Sequence, residues 1–155
     1  MDNSFMARAI QLSIDNVLSG CGGPFGAVIV KDGAIVAEGA NQVTSTNDPT
    51  AHAEVLAIRE ACRKLGAFDL EGCEIYTSCE PCPMCLGAIY WARLSRVYFG
   101  NDDVDAAKIG FDDSLVYREL AQPHSQRRIP MIQMMRDEAL AAFRAWQEKP
   151  NKIEY

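Results

Sequence analysis

Two short segments, Thr50-Ala51-His52-Ala53-Glu54 and Glu80-Pro81-Cys82-Pro83-Met84-Cys85, carry the strongest structural signal in this sequence. Each is predicted to lie where a loop or strand leads into the N-terminus of a helix. Cys82 and Cys85 are three positions apart, so on one helical turn both sulfurs project from the same face and can share a cation. With His52 as a third ligand, a tetrahedral zinc ion keeps one open position, which is typical of catalytic sites.

Glu54 is predicted to stand beside this metal without binding it. Residues two apart on a regular helix do not face each other, so His52 and Glu54 must both lie in the first turn, with Glu54 pointing past its end. Unpaired N–H groups and the positive end of the helix dipole favour thiolates and a metal-bound hydroxide there. Zinc lowers the pKa of bound water from about 15.7 to about 7, and Glu54 can accept that proton and return it.

Both the zinc-activated water and the carboxyl group of Glu54 are needed for attack on a ring carbon that carries an exocyclic amine. Hydroxide attacks the carbon, a ring nitrogen is protonated, and ammonia leaves after a further protonation. His-x-Glu combined with Pro-Cys-x-x-Cys is the signature of zinc deaminases, and the sequence is identified as one on that signature together with the physical reasoning. Glu54 is therefore predicted to be the catalytic acid and base.

The same cysteines also suit a structural zinc site or a pair of buried thiols. A lone Cys-x-x-Cys would favour that alternative, but one of the two histidines in the chain stands in the matching motif. Cys79 is the available fourth ligand, and it would leave no position for water. A zinc-stabilised binding domain without activity remains an alternative, although such a domain has no need of an unligated Glu54 beside its metal.

Composition limits the other classes. The chain has 155 residues, 48% of them apolar, which suits a single domain covering 1–155. The formal net charge is −6 with Lys and Arg scattered, so long nucleic acid is not an expected partner. Met1-Asp2-Asn3-Ser4 is unlike a signal peptide, and no apolar run approaches the roughly 20 residues that span a bilayer. These features predict a cytoplasmic protein without a membrane role.

Periodicity predicts an α/β fold with a mixed sheet of about five strands between helices. Ala7, Ile10, Ile14, Val17 and Leu18 recur at helical spacing. Asp32-Gly33 joins two short apolar runs as an antiparallel hairpin. Asp48-Pro49 suits an N-cap and first turn for a helix over 51–65. Further strands are predicted at 73–77, 96–99 and 131–135. Further helices are predicted at 83–94, at 114–120 and in a final segment through Trp146. Because a helix lies between the strands at 73–77 and 96–99, these two strands are predicted to be parallel and joined by a crossover connection.

Longer stretches extend the pattern beyond the metal motifs. They are Gly22-Gly23-Pro24-Phe25-Gly26-Ala27-Val28-Ile29-Val30, the run from Tyr76 to Arg93, Gly110-Phe111-Asp112-Asp113-Ser114 and the terminal Glu154-Tyr155. On these residues the sequence resembles the cytidine deaminase-like superfamily over nearly its whole length and, within it, the small bacterial guanine deaminases. The metal motifs are shared by deaminases of cytosine, cytidine, adenine in transfer RNA and riboflavin precursors, so they leave the substrate open.

The resemblance implies a three-layer α/β/α fold, one zinc ion per chain and hydrolysis of guanine to xanthine and ammonia. It also implies that Asn41, Asp113 and Tyr155 contact the base and that Phe25 and Trp91 wall the pocket. Guanine presents a ring N–H beside its amine, a donor pair that the Asp113 carboxylate can accept. Without the resemblance, the ordinary uses are favoured, Asn41 as a turn residue and Asp113 as a helix cap. Guanosine, cytosine and adenosine in transfer RNA are the alternative substrates.

The resemblance further implies a homodimer in which a C-terminal segment, about 150–155, crosses to the partner and brings Tyr155 over the neighbouring site. The sequence is compatible, because Pro150-Asn151-Lys152 ends the last helix and leaves a short tail able to act as a lid.

Overall fold

The computed structural model describes residues 3–155; Met1 and Asp2, where the polar N-terminal segment begins, lie outside the described residues. The chain separates into two compact units, Met1–Asp113 and Ser114–Tyr155. The first contains helices α1 (Ser4–Leu18), α2 (Val43–Thr46), α3 (Ala53–Leu65), α4 (Pro83–Trp91) and α5 (Asp103–Lys108), and strands β1 (Gly26–Lys31), β2 (Ala34–Ala40), β3 (Cys73–Cys79) and β4 (Arg96–Asn101). No helix within residues 3–155 has the length and apolar character needed to cross a membrane.

The sheet of the first unit is mixed, with strand order β2-β1-β3-β4. β1 pairs antiparallel with both β2 and β3, whereas β3 and β4 are parallel and joined through α4. The predicted hairpin and the predicted parallel crossover are therefore confirmed. Asp32 and Gly33 have φ angles of +50° and +76°, the left-handed pair that a tight hairpin turn requires.

Helices cover both faces of this sheet because successive strand residues point to opposite sides. Ala27 and Ile29 of β1 lie in the larger core, which α3 and α4 complete. Val28 and Val30 face the other way and pack with Ala9 of α1 in a smaller core. The α/β class and the three-layer arrangement that the sequence predicts are confirmed.

Gly39 of β2 allows α3 to lie unusually close to the sheet. A Cβ at this position would overlap the carbonyl oxygen of Ala53 and lie 2.8 Å from the backbone nitrogen of Ala57. The absence of a side chain therefore determines where the first turn of α3 sits.

Two predicted helix boundaries need correction. α3 begins at Ala53 with His52 as its N-cap, so Asp48 does not cap it. Asp48 Oδ1 instead accepts hydrogen bonds from the backbone N–H and the hydroxyl of Thr50, at 2.8 and 2.7 Å, which closes a local turn. α4 ends at Trp91 rather than near residue 94, because Arg93 takes a left-handed φ of +57°.

The second unit contains α6 (Ser114–Leu120), a 3-10 turn (His124–Gln126) and α7 (Arg136–Glu148). The helices predicted at 114–120 and through Trp146 are confirmed. The strand predicted at 131–135 is wrong: the sheet described for residues 3–155 has four strands, and this segment pairs with none of them. Met134 and Met135 are 76% and 67% exposed, and Met135 turns into α7 with a φ of +49°.

Candidate metal centre

His52 and Cys82 occupy equivalent positions on two helices. Each is an N-cap with extended backbone angles, His52 preceding α3 and Cys82 preceding α4. Pro83 follows at the first position of α4, where its missing N–H costs nothing, and Cys85 lies in the same first turn. Both predicted helix starts are thus present, and they bring the three side chains together.

The distances within this cluster fit a shared zinc ion. His52 Nδ1 lies 3.5 Å from Cys82 Sγ and 3.5 Å from Cys85 Sγ, and all three ligand atoms lie within 4.8 Å of one another. Zinc–sulfur and zinc–nitrogen bonds of about 2.3 and 2.0–2.1 Å at a tetrahedral angle give a nitrogen–sulfur separation of about 3.5 Å. Cys85 is buried while His52 and Cys82 are half-buried, so one side of the cluster is accessible.

Cys79 does not join the cluster. Among residues 3–155, the group able to hold a metal consists of His52, Cys82 and Cys85. Cys79 Sγ lies 3.9 Å from the carbonyl oxygen of Asp102, and burial raises its pKa to about 11. The closed four-ligand alternative is therefore not supported by this geometry.

The two cysteines of the cluster have opposite proton affinities. A hydrogen bond from Cys85, together with one from His52, lowers the pKa of Cys82 to about 4 despite its burial. The same hydrogen bond to Cys82, with burial, raises the pKa of Cys85. Hydrogen bonding to Cys82 also raises the pKa of His52. Without metal, the cluster therefore favours a thiolate at Cys82 and a neutral thiol at Cys85, and zinc binding would displace the proton of that thiol.

Glu54 lies beside the cluster with its carboxyl group buried; the residue is 6% exposed. Its Oε2 accepts a hydrogen bond from Cys85 Sγ at 3.4 Å, and its Oε1 lies 3.4 Å from the hydroxyl of Thr77. Burial is the main cause that raises the pKa of Glu54. The carboxyl group is adjacent to the ligand atoms yet outside the metal-holding group, as the spacing of the motif predicts.

Asn41 is held next to the cluster by backbone hydrogen bonds. The neighbouring Gln42 N–H donates to the carbonyl of Ala51, directly before His52, at 3.0 Å. Asn41 Oδ1 accepts from the N–H groups of Gly23 and Val43 at 3.4 and 3.2 Å. The predicted turn role is therefore observed, and the Nδ2 group is the donor that remains for a ligand.

Asn16 of α1 braces this loop, a role that periodicity does not reveal. Its Nδ2 donates to the carbonyl oxygens of Gly23 and Asn41, both at 2.8 Å, and the residue is 6% exposed. An isolated asparagine on a predicted amphipathic helix carries no signal that distinguishes a buried brace from a solvated position.

Phe25 packs edge-on against Phe111, with ring centroids 4.9 Å apart. The backbone N–H of Asn41 donates to the carbonyl of Phe25 at 3.1 Å, which links this aromatic pair to the Asn41 loop. The sequence predicts no role for Phe111, although this residue belongs to the Gly110–Ser114 motif on which the resemblance rests. Only that motif membership could have indicated it.

The other three residues predicted to bind the substrate, Asp113, Trp91 and Tyr155, lie in different parts of the structure. Asp113 is partly buried, and its pKa is raised first by burial and then by the charge of Cys82, which places its carboxyl group in the electrostatic field of the cluster. Trp91 ends α4, about 13 Å along the axis from Cys82 at 1.5 Å per residue, and is 69% exposed. Tyr155 belongs to the second unit and is 71% exposed. The structure does not bring Trp91 to the cluster of its own chain.

Comparison with known proteins adds to this geometry. Residues 1–101 match the family described as the cytidine and deoxycytidylate deaminase zinc-binding region. Guanine deaminase of Bacillus subtilis is 58% identical over 152 residues, which cover 98% of this chain and 97% of that protein. Its X-ray structure superposes with a TM-score of 0.97 and covers 100% of this chain and 99% of that one, at 57% identity.

Two more distant relatives show how the similarity is distributed. A structure of guanine deaminase from Nitrosomonas europaea, 31% identical, covers 94% of this chain and 84% of its own with a TM-score of 0.70. A tRNA-specific adenosine deaminase of Aquifex aeolicus is 53% identical over 80 residues, which are 52% of this chain and 53% of that protein.

Proposed function

Since the chain belongs to the cytidine and deoxycytidylate deaminase family, we propose that it is a zinc-dependent guanine deaminase that hydrolyses guanine to xanthine and ammonia. The observation that carries this proposal is the 58% identity to a guanine deaminase across 98% of the chain. The similarity to tRNA-specific adenosine deaminases is also strong, but it spans 52% of the chain in the relative described above. The formal net charge of −6 also disfavours a polyanionic substrate such as transfer RNA.

His52 Nδ1 and the sulfurs of Cys82 and Cys85 would hold one zinc ion per chain. Zinc in such a site supplies activated water at neutral pH. His52 and Cys82 at helix N-caps fix the direction of two ligands through the backbone, and Cys85 adds the third from the buried side. The accessible side of the cluster is the place for water and substrate.

Glu54 moves the protons in this proposal. Its Oε2, on the side of Cys85, would accept one proton from the attacking water and deliver it to a ring nitrogen, and would then carry the second proton from the hydroxyl now bonded to the ring carbon to the amine, which leaves as ammonia. Burial, which raises the pKa of the carboxyl group, favours a group that takes up a proton and releases it again. The same carboxylate serves every transfer because all the acceptors belong to one substrate ring.

Base recognition is assigned to residues around the accessible side. We propose that the Asn41 Nδ2 group donates to the base and that the Asp113 carboxylate accepts from the N–H and amine pair that distinguishes guanine. Phe25, supported by Phe111, forms one wall. Trp91 lies at the opposite end of α4 from Cys82 and is 69% exposed, so we assign the wall role to the copy from a second protomer.

A homodimer with exchanged C-terminal segments is part of the same proposal. Residues 114–155 contain seven Lys and Arg against five Asp and Glu, whereas residues 1–113 contain eight against sixteen, so the charges of the two segments are complementary. α6 and α7 contain no buried residue, and Phe143 of α7 is 70% exposed. An exchanged segment would cover such residues on the partner and place Tyr155 at its site. The cytoplasmic location stays a prediction.

The substrate is tested by ammonia release from guanine, guanosine, cytosine, adenine and a transfer RNA anticodon stem. We expect activity on guanine, and activity confined to any other compound contradicts the proposal.

Glu54→Gln should keep one zinc ion per chain and lose ammonia release. Loss of zinc in that variant would indicate a structural role for the carboxyl group.

Exchange is tested by mixing two inactive proteins, Glu54→Gln with its intact tail and a variant lacking residues 153–155. If Tyr155 acts on the partner, refolding the two together restores activity, because one site of the mixed dimer then has both Glu54 and the tail. Each variant refolded alone is the control. No recovery, or full activity of the shortened variant alone, rules the exchanged lid out.

A further inference from the structure

The two oxygens of Glu54 are engaged by different neighbours. Oε2 accepts from Cys85 Sγ at 3.4 Å, on the side of the metal ligands. Oε1 lies 3.4 Å from Thr77 Oγ1 on the opposite side. Each oxygen of the carboxyl group thus has a different side-chain neighbour, the Glu54 backbone N–H adds a further hydrogen bond, and the residue is 6% exposed.

Thr77 is a fixed part of the sheet rather than a surface residue. It is 1% exposed and lies near the end of β3, paired with Ala27 of β1 and Phe99 of β4. Its hydroxyl also donates to the carbonyl oxygen of Cys79 at 3.0 Å, in the strand end that leads towards Cys82. A threonine with β-branched geometry in a strand has little rotameric freedom, so the position of the hydroxyl is set by the backbone.

We propose that Thr77 is a positioning residue for Glu54, which holds Oε1 away from the metal ligands so that Oε2 alone faces the reacting groups. This inference rests on the proposed deaminase function, in which Glu54 transfers protons. It explains how a carboxylate next to a metal cluster is kept from becoming a fourth ligand. A carboxylate that turned both oxygens towards the metal would occupy the position that water needs.

The hydroxyl group, rather than the bulk of the side chain, is what this role requires. A hydroxyl can donate to a carboxylate and can accept from a carboxylic acid. Thr77 Oγ1 lies 3.4 Å from Glu54 Oε1 and 3.0 Å from the Cys79 carbonyl oxygen, so its single hydrogen is shared between these two acceptors and the hydroxyl ties the carboxyl group to the end of β3. A valine of the same shape makes neither contact.

Thr77→Val keeps the bulk of the side chain and removes the hydroxyl, whereas Thr77→Ser keeps the hydroxyl, so the two variants separate the contribution of the hydroxyl from that of the bulk. We expect the Val variant to bind one zinc ion per chain and to lose about 10- to 100-fold in kcat, the usual effect of removing a group that orients a metal-site residue. KM for the base that the wild type deaminates should change less than about threefold, because the lost interaction acts on the proton transfers. The Ser variant should recover most of the activity.

Crystals of the metal-free Val and Ser variants give a readout that does not depend on catalysis. Glu54 should keep its orientation in the Ser variant and rotate away from it in the Val variant. If the Val variant does not fold, Thr77→Ala and Thr77→Ser form the second pair, since they differ only by the hydroxyl.

Three results would overturn the inference: a zinc-loaded Val variant with wild-type kcat, equal losses in the Val and Ser variants, or loss of zinc in Thr77→Val. Failure of the proposed function is distinguishable from all three, because the wild type would then release no ammonia from any base.

Discussion

Gly39→Ala tests how tightly the metal centre depends on the position of α3. Gly39 lies on β2 against the first turn of that helix, where His52 and Glu54 are located. A Cβ would overlap the carbonyl oxygen of Ala53 and approach the Ala57 nitrogen to 2.8 Å. Both are backbone atoms, so rotating a side chain cannot relieve the contact, and the helix itself must move.

The required movement can be worked from these distances. Ordinary contacts begin near 3.5 Å, so α3 must withdraw by about 0.7 Å at Ala57 and by more at Ala53. His52 Nδ1 would then leave the 3.5 Å separation from the two sulfurs that suits tetrahedral zinc. Overpacking costs about 1–3 kcal/mol of unfolding free energy, and misplacing a catalytic group by about 1 Å costs about 100-fold in rate.

We therefore expect Gly39→Ala to lose about 2 kcal/mol of unfolding free energy, to bind zinc more weakly and to lose at least about tenfold in kcat/KM. Urea denaturation of the metal-free protein, zinc competition with a chromophoric chelator and ammonia release measure these three quantities. Gly33→Ala is the matched control: its Cβ meets no atom within 4 Å, but its φ of +76° strains alanine by about 1–2 kcal/mol.

The control should lose stability while its zinc affinity and kcat remain those of the wild type. If Gly39→Ala behaves in the same way, with lower stability but unchanged zinc affinity and rate, the position of α3 is not coupled to the metal centre and the reasoning fails.

Three further perturbations test other parts of the molecule. Asn16→Asp removes the donor to two loop carbonyls; we expect a loss of about 2–4 kcal/mol of unfolding free energy and a raised KM for guanine with kcat retained, and an unchanged KM would remove the loop brace from recognition. Glu38→Gln breaks the paired hydrogen bonds with Arg8, at 2.8 Å each, and should cost up to about 1 kcal/mol at neutral pH in urea denaturation. The hydrogen bond to Arg8 lowers the pKa of Glu38, so this stability is present above the usual glutamate pKa of about 4.3 and disappears as the pH falls through the lowered value; a difference that persists in acid contradicts the assignment. After zinc is chelated, iodoacetamide near pH 6 should modify Cys82 before Cys85, because the pKa of Cys82 is about 4 and that of Cys85 is raised, and bound zinc should protect both in peptide mass spectrometry.

The metal cluster could be predicted from sequence because its information is local. In a helical segment, two cysteines three positions apart lie on the same turn, and this holds independently of the other elements of the fold. A histidine and a glutamate two apart work together only at a helix start, and His52 is indeed the N-cap of α3. A site whose side chains are positioned by a single helical turn can therefore be predicted from a few consecutive residues.

The buried face of α1 shows where sequence periodicity is insufficient. Ile10 and Ile14 recur at helical spacing and predict the helix correctly, yet they are 41% and 47% exposed. Ser13 and Asn16 are buried instead, on the side of α1 where Ala9 packs against the sheet, and Asn16 donates to loop carbonyls there. Periodicity measures which side chains are apolar, and it does not show which side of the helix the sheet covers. The same limit applies to Thr77, whose partner Glu54 lies 23 positions away in sequence.

The predicted strand at 131–135 fails for a related reason. A strand is stabilised by pairing with a neighbour, so an apolar run shows only that a segment is able to pair. In residues 114–155 the structure provides no sheet, and Met131 and Ile132 remain 52% and 79% exposed. If the exchange that we propose occurs, the surface that covers these side chains belongs to another protomer, and one chain alone cannot reveal it.

The location of the site residues along the chain bears on how substrate choice arises in this fold. All four groups assigned to the reaction lie between residues 52 and 85, inside the region 1–101 that matches the deaminase family. Asp113 and Tyr155, assigned to the base, lie outside it. A tRNA-specific deaminase shares 53% identity with this chain over 80 residues, so the zinc chemistry does not discriminate between the two substrates. We infer that Asp113 and Tyr155, which follow the common region, add selection for guanine to the contacts proposed for Asn41 and Phe25 within it. We expect Asp113→Asn to raise KM for guanine while zinc content stays at one ion per chain. An unchanged KM would show that recognition depends on Asn41 and Phe25 in the shared part of the fold.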